Sequence, residues 1–422
     1  MKKFYILVCA ILFVGATVSA QENAKTESES VDTRLEKVEK RTATLEKFRQ
    51  YLRVSGFIQG MYEWHDADKE HTTDVSAFSV RRARLTLKGD LYKGKAGVLD
   101  YSLYFDIARV PKAPVLDMWL KYQPCKEFGI QFGQFKNPVT FEASISPSRY
   151  DFIDFSYAVS NLAKMGKNDV VGLDETARDI GFQLFGGFLH RDGYSIINYN
   201  VGLLNGSGIN TKDDNKSKDI YAKLTIKTSK DFALAAYYQW GEANLYNNFK
   251  DNDKYKNEVD GERVFDPDLL AADYRWNGNF EYVPMHRWGI GFNYDGPKVF
   301  ARGEYLAGFT GNLPSEGVYV EGGYRFHLPK NAGMVWAGGM VDYFCRNCTD
   351  FIHRDTKNAM VDMRYSICLG YEPIKYFHVQ LAYSIEHRIN HDFSNPKALT
   401  CCGWKGNREF GNGVKLMLTA LF

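Results

Sequence analysis

A strictly alternating stretch near the start of the chain constrains the fold most. Within residues 81–91 the polar side chains share one face: Arg82, Arg84, Thr86, Lys88 and Asp90. The apolar side chains share the opposite face: Ala83, Leu85, Leu87 and Leu91. A period of two residues predicts a β-strand with one polar and one apolar face. In a water-soluble sheet the apolar face is buried, whereas in a membrane barrel it contacts lipid and the charged face lines a water-filled interior.

The two ends of the chain favour the membrane barrel. Lys2 and Lys3 precede the apolar segment 4–14, and small residues at 18–20 form a cleavage site, so residues 1–20 are predicted to be a signal peptide. Counted back from Phe422, every second residue to position 414 is apolar. This ending is typical of outer-membrane barrels, and the alternative is an ordinary buried last strand.

Composition and charge narrow the possible functions. Aromatic residues make up 15% of the chain, which suits a barrel with aromatic girdles at both membrane surfaces. After the N-terminus no apolar run reaches about 18 residues, so no membrane-spanning helix is predicted. Loss of Lys2 and Lys3 lowers the formal charge from +2 to 0, and we therefore expect no nucleic-acid partner.

From residue 51 onwards the chain is a succession of predicted strands. About sixteen alternating segments predict an all-β fold, a transmembrane antiparallel β-barrel over residues 51–422. Tight turns such as 229–230 and 296–297 alternate with long connections such as 137–177 and 242–284. Outer-membrane barrels have short periplasmic turns and long external loops. The pattern therefore indicates the outer membrane of a Gram-negative bacterium, with lipid as the surrounding partner.

Residues 21–50 form a separate predicted unit. Apolar or small residues recur there with spacings of four and three: Val31, Leu35, Val38, Thr42 and Leu45. About two heptads predict a short periplasmic coiled coil that would hold a trimer together. The alternative is a solvated single helix or a partly disordered linker.

Several motifs in the first half of the barrel resemble those of one family. They are 81–85 with Gly89, Asp117 within 116–119, 133–138 with Glu142, 178–181 and 205–208. Together, over roughly residues 51–230, they resemble the phosphate-selective porin O and P family. The resemblance implies a sixteen-stranded homotrimeric porin that passes small polar solutes by diffusion and favours anions such as phosphate through rows of lysine and arginine.

Five cations are the candidates for lining the pore. Arg82, Arg84 and Lys136 lie in the matched motifs, and alternation alone adds Lys88 and Lys121. Acidic residues nearly match the basic ones on the predicted inward face. General polar permeability, or ion pairing that only stabilises the barrel, is therefore the alternative to anion selectivity.

The connection 137–177 follows the fifth predicted strand, the place where porins carry a loop that folds into the barrel. Glu142, Arg149 and Tyr150 in this segment are candidates for a polar constriction. The alternative is a loop that extends outward into solvent.

Cysteines mark two of the predicted outer loops. Cys345 and Cys348 fall in one, and Cys401 and Cys402 in another. Export allows disulfides, while free thiols or a four-thiolate metal site are the alternatives, and three pairings are open. Cys125 and Cys368 are expected to be unpaired.

No motif for chemistry is present. We find no phosphate-binding glycine loop, nucleophile elbow or zinc-protease motif, so we expect neither enzymatic activity nor a cofactor or metal. The main alternative function is a structural or adhesive barrel with little conductance. A third interpretation, an exported all-β enzyme that binds or hydrolyses carbohydrate, does not account for the terminal Phe422.

Overall fold

The computed structural model describes residues 31–66, 75–110, 114–165, 169–173, 177–259, 262–347, 359–389 and 408–422. The chain divides into two compact units, Met1–Tyr51 and Leu52–Phe422. Among the described residues, no helix is both long and apolar enough to cross a membrane.

The described part of the first unit is the helix α1, Val31–Tyr51. Four of its apolar side chains are 57–62% exposed: Leu35, Val38, Leu45 and Phe48. The helical part of the predicted N-terminal segment is confirmed, and its oligomerisation stays a prediction.

The second unit is a closed antiparallel barrel, which confirms the predicted fold class. Over the described residues its sixteen wall strands are β1 Arg53–His65, β2 Val75–Gly94, β3 Gly97–Asp106, β4 Val115–Gln123, β5 Gly129–Lys136, β6 Arg178–Arg191, β7 Tyr194–Leu204, β8 Asp219–Lys227, β9 Phe232–Ala243, β12 Val283–Asp295, β13 Val299–Thr310, β14 Leu313–His327, β15 Met334–Arg346, β16 Met360–Ile374, β17 Phe377–Ile389 and β18 Arg408–Leu421. The first strand pairs with the last from Phe57↔Leu421 to His65↔Gly413, so the sheet has no free edge.

Short elements lie in the connections between the wall strands. The helices are α2 Phe141–Ser144, α3 Tyr157–Leu162, α4 Leu245–Phe249 and α5 Pro267–Tyr274, and the strands β10 Lys256–Val259 and β11 Glu262–Phe265 form a separate hairpin. Three 3₁₀ turns span Ile107–Arg109, Asp253–Tyr255 and Pro329–Asn331.

The alternation of the strands sorts side chains to the two faces of the wall. On β4, Met118 and Leu120 are exposed on the outer face, while Asp117 and Lys121 form ion pairs on the inner face. A charged residue facing lipid at the bilayer centre costs about 2–4 kcal/mol, so this register is the stable one.

A β-bulge interrupts the alternation on β2. Gln59 pairs with Arg82 and the next residue, Gly60, pairs with Val80, which leaves Arg81 as the extra residue. A bulge turns two successive side chains toward the same side. Arg81 consequently joins Arg82 on the inner face, a placement that the alternation beginning at Arg82 did not predict.

The apolar core of the unit lies inside the barrel. The described residues of the connection 137–177, hereafter the inward segment, leave the end of β5 and pack against the inner wall of β7–β9 and β12–β15. Ala158, Val159 and Leu162 of α3 belong to one buried cluster with Leu306 of β13 and Tyr319 of β14. The inward segment therefore fills one side of the lumen.

The outer connection between β9 and β12 fixes the tip of the inward segment. The Tyr274 hydroxyl donates to the carbonyl of Val170 at 2.5 Å, and the Asn248 amide donates to that of Val171 at 2.7 Å. Gly172 has a φ of +77°, and a Cβ there would lie 2.7 Å from the ring of Phe249. Only glycine suits that position, because it tolerates both the left-handed backbone and the close ring.

A buried ion-pair cluster holds this outer connection to the wall. Asp273 of α5 accepts from Lys254 Nζ at 2.7 Å and from Arg346 at 2.8 Å. Burial raises the pKa of Asp273, but the positive charges of Arg346 and Lys254 outweigh burial and lower it to about 2. The carboxylate is therefore ionised at neutral pH.

Candidate pore constriction

The middle of the inward segment is tied across the lumen to the opposite wall. Asp154 accepts from Arg81 of β2 at 2.7 Å and from Lys415 of β18 at 2.6 Å. Arg364 of β16 donates to the carbonyl of Phe155 at 2.5 Å. These charge-assisted bonds attach the segment to β2, β16 and β18, strands whose described residues lie outside the apolar cluster around α3.

The start of the segment rests on β13 and β14. Glu304 accepts from the backbone amides of Phe141 at 2.7 Å and Glu142 at 3.0 Å, at the first turn of α2. The Tyr150 hydroxyl contacts carboxylate oxygens of both Glu142 and Glu321, the second at 2.7 Å. All of these acidic side chains are at least 97% buried.

A third attachment involves Asp151. Both of its carboxylate oxygens lie 3.0 Å from a guanidinium nitrogen of Arg325, and its backbone carbonyl accepts from Trp336 Nε1 at 3.0 Å. Gln380 donates to the carbonyls of Tyr150 and Asp151 at 3.0 and 3.1 Å. The predicted insertion of this segment into the barrel thus has a defined set of anchors.

Two large cavities are lined by inward-facing residues of the described part of the barrel. The lower cavity, of about 980 Å³, lies at the end of the barrel where tight turns join the strands, and its lining includes Ser55 and Phe422. The upper cavity, of about 540 Å³, lies toward the end with the long connections, and its lining includes Arg81 and Asp154. Within the described residues both are lined by Lys136, Pro147 and Arg178. These three residues mark the boundary between the cavities and form the candidate constriction.

The upper cavity is strongly cationic. Among the described residues its lining contains nine positive side chains: Arg81, Arg82, Arg84, Arg109, Lys136, Arg178, Arg364, Arg388 and Lys415. The same lining contains three carboxylates: Asp106, Asp154 and Glu386. A cleft lined by one sign of charge raises the local concentration of counter-ions.

Some of these cations are paired and some are not. Arg84 binds Asp106 at 2.8 Å, and Arg178 binds Asp117 at 2.6 Å. Arg82 instead donates to the side-chain oxygen of Gln59 at 2.9 Å, and the Lys136 ammonium lies 5.8 Å from the ring centre of Phe155. In the described part of the chain, neither has a carboxylate within ion-pair distance, so a solute can meet both side chains without displacing an ion-pair partner.

The structure separates the five predicted pore cations. Arg82 and Arg84 line the upper cavity, Lys88 lines the lower one, and Lys136 lies at the boundary and lines both. Lys121 lines neither cavity and is bound to Asp100 at 2.9 Å.

The predicted constriction-loop residues also divide. Arg149 is exposed and Tyr150 is 3% exposed, and both border the lower cavity. Glu142 is fully buried and lines neither cavity. It belongs instead to the group of buried side chains that attaches the start of the segment to β13 and β14, hereafter the anchor: Glu142, Tyr150, Glu304 and Glu321. Sequence reasoning missed Arg178 as a lining residue, although this charge begins one of the family motifs, 178–181.

The cysteines are described only in part. Cys345 is disulfide-bonded, and Cys125 and Cys368 are free thiols. The other predicted disulfide residues, Cys348, Cys401 and Cys402, lie outside the described residues, and the pairing stays a prediction.

Comparison with known families agrees with this geometry. A model of the family described as Phosphate-selective porin O and P matches residues 51–226, the half of the barrel that carries Arg82, Arg84, Lys136 and the inward segment. The family resemblance is confirmed over those residues. The protein is an outer-membrane porin. No curated protein matches the chain in sequence.

Solved structures share the fold of this porin at low sequence identity. OmpT of Vibrio cholerae, in a trimer form, has a TM-score of 0.57 at 10% identity, with 88% of this chain and 99% of that chain covered. OprB of Pseudomonas putida has 0.57 at 10%, with 91% and 97% covered. An anion-selective porin from Comamonas acidovorans has 0.54 at 11%, with 88% and 99% covered.

Proposed function

We propose that this passive outer-membrane channel favours small anions. The observation that carries the proposal is the lining of the upper cavity, where nine cationic side chains surround three carboxylates within the described residues. Arginine remains charged at any physiological pH, so most of this positive potential is permanent.

The path that we propose runs from the upper to the lower cavity past Lys136, Pro147 and Arg178. An anion would first meet the row of Arg81, Arg82 and Arg84, whose fixed charges replace part of its hydration shell. Partial pairing of the row with Asp106 and Asp154 leaves the attraction weak enough for the anion to leave again.

Phosphate is the cargo that we propose among the small anions. The description of the matched family supports it, and the structurally similar porin from Comamonas acidovorans, described as anion-selective, supports the preference for negative charge. Guanidinium groups bind phosphate oxygens through paired N–H donors, which chloride cannot use in the same way.

We also propose that the porin is a homotrimer. The structurally similar OmpT is described in a trimer form. The exposed Leu35, Val38 and Leu45 of α1 follow the spacing of a coiled-coil seam, and association of three helices would bury them.

A barrel that conducts little is the second candidate function. The apolar core inside the lumen favours it, because the inward segment and the β9–β12 connection fill part of the interior. Conduction is favoured by the adjacency of the two cavities, which share boundary residues and so offer a path from one to the other.

Swelling of liposomes that contain the purified porin separates the two candidates. We expect swelling in isosmotic solutions of small amino acids to be fastest for an anionic solute, slower for a neutral one and slowest for a cationic one of similar size. Equal rates for the three solutes would contradict the anion preference. Absence of swelling in all three would favour the barrel with little conductance.

A further inference from the structure

The anchor of the inward segment contains more hydrogen-bond acceptors than its hydroxyl protons can satisfy. Tyr150 has one hydroxyl proton but contacts carboxylate oxygens of both Glu142 and Glu321. An ionised carboxylate can only accept, so two ionised carboxylates cannot both be bonded to one phenol hydroxyl. A proton on one of the two acids resolves the arrangement.

The surrounding bonds assign this proton to Glu142. Glu321 is paired with the guanidinium of Arg302, which favours its ionised form. Glu142 is hydrogen-bonded instead to neutral donors of Ser156, the backbone amide at 2.8 Å and the hydroxyl at 2.6 Å. Tyr150 can then donate to Glu321 and accept from protonated Glu142.

Every charged or titratable group packed around Glu142 bears on this assignment. The inward segment contributes Tyr150 and Asp151, the latter paired with Arg325. The wall strands contribute Glu304, Arg302, Tyr319, Glu321, Tyr237 and Lys223. The carboxyl groups of Glu142, Glu304 and Glu321 share the guanidinium of Arg302 and the ammonium of Lys223 in this described cluster, so a full negative charge on all three would be poorly compensated.

We propose that Glu142 carries a proton while the inward segment is docked, and that loss of this proton in alkaline solution weakens the attachment of the segment to β13 and β14. The proton acts as a ligand that binds the docked segment in preference to the released one.

The direction of the pH dependence follows from this preference. Burial raises the pKa of Glu142 to about 8, and the negative charge of Glu321 adds to the effect. In a released segment the carboxyl would titrate at its ordinary value of about 4.3. The equilibrium constant for docking is therefore largest below about pH 4. It falls by up to about tenfold per pH unit between about pH 4 and pH 8, and it is constant at higher pH.

The consequence for conduction rests on the proposed function. Ser144, Ser148, Arg149 and Tyr150 follow Glu142 in the chain and line the lower cavity. A loosened attachment would let this lining fluctuate, and we expect the noise of the open-channel current to rise between pH 6 and pH 8.

Hydrogen exchange of the full-length porin in detergent tests the attachment independently of conduction. The readout is the protection of a peptide spanning 137–160 at pH 6, 7 and 8, corrected for the pH dependence of intrinsic exchange. In the wild type we expect protection to fall by roughly tenfold per pH unit. Glu142→Gln keeps the shape and hydrogen bonds of a protonated carboxyl, so its protection should stay constant.

Glu304→Gln is the matched control, because it neutralises a buried carboxylate of the same anchor that accepts backbone amides. We expect the protection of the peptide to be lower in this variant than in the wild type at every pH. The protection should still decrease as the pH rises, because Glu142 is unchanged. The same pH dependence in the wild type and in Glu142→Gln would overturn the proposal.

A measurement on the wild type alone covers the case in which the variants fail to fold. Infrared spectra should contain the carbonyl band of a protonated carboxyl at pH 6 that disappears by pH 10. Absence of a band that titrates in this range would also overturn the proposal. If the exchange result holds but the current noise is insensitive to pH, the protonated attachment stands and the proposed place of the segment in the conduction path is contradicted.

Discussion

Removal of the charge at Arg82 tests the ion preference most specifically. Arg82 lines the upper cavity and donates to Gln59 at 2.9 Å, and among the described residues it has no carboxylate partner. Arg82→Gln keeps an amide donor near Gln59 and deletes one positive charge. The other eight cations of the lining remain, so we expect a smaller anion preference and no reversal of sign.

Coulomb's law sets the size of the effect. Two unit charges 4 Å apart interact by about 1 kcal/mol in a medium like bulk water, and by about half of that at 8 Å. The charge attracts an anion and repels a cation equally, so its loss changes their difference by about 1–2 kcal/mol. The ratio of chloride to potassium permeability should therefore fall by about fivefold to thirtyfold.

The assay is the zero-current potential of the reconstituted porin in a KCl gradient at about 0.1 M, where the Debye length is about 10 Å. At about 1 M the effect should largely disappear, because the Debye length is about 3 Å. Lys121→Gln is the matched control, because it also removes a lumen-facing cation, but one that is bound to Asp100 and lines neither cavity. Equal zero-current potentials for the wild type and Arg82→Gln would refute the assignment.

Three further sets of substitutions test the stability and the assembly of the porin. Gly317→Ala should lower the temperature at which the folded barrel unfolds, measured by the change in its gel mobility on heating. The new Cβ would lie 2.7 Å from Ala158 Cβ, and such overpacking costs about 1–3 kcal/mol. An unchanged temperature would contradict the close packing of α3. Asp273→Asn should expose the β9–β12 connection to limited proteolysis, because it leaves two buried cations without their carboxylate at a cost of about 3–5 kcal/mol. Since the pKa of Asp273 is lowered to about 2, the wild type should keep this protection above about pH 4 and lose it as the pH falls toward 2. Leu35→Asp combined with Leu45→Asp should reduce a trimer to monomers in detergent, measured by native mass spectrometry, and an unchanged mass would contradict the coiled-coil role of α1.

The barrel could be predicted because its determinants are local. Period-two alternation, tight turns on one side and the apolar ending at Phe422 each depend on neighbouring residues, and together they predicted the sixteen strands of the described wall. The placement of Arg82 and Arg84 followed from the same alternation. Arg81 was missed because a bulge shifts the register, and its only sequence signal is the break in alternation at the Arg81-Arg82 pair.

The interior of the barrel could be predicted only in outline. That the inward segment enters the lumen was expected, but its contacts join residues far apart in the chain, such as Glu142 with Glu321 through Tyr150. Glu142 was expected to line the constriction and is instead fully buried in the anchor. Alternation along single strands contains no information on which cations find a carboxylate in a loop, as Arg81 and Lys415 do in Asp154.

Single-channel current through the purified wild-type porin in a planar bilayer measures anion-favouring conduction itself. With a KCl gradient across the bilayer, we expect stepwise current increments and a zero-current potential of the sign that chloride permeation gives. Added phosphate should reduce the chloride current, because both anions would compete for the row of Arg81, Arg82 and Arg84. Absence of current steps would contradict the proposed channel, and a zero-current potential of the sign that potassium permeation gives would contradict its preference for anions.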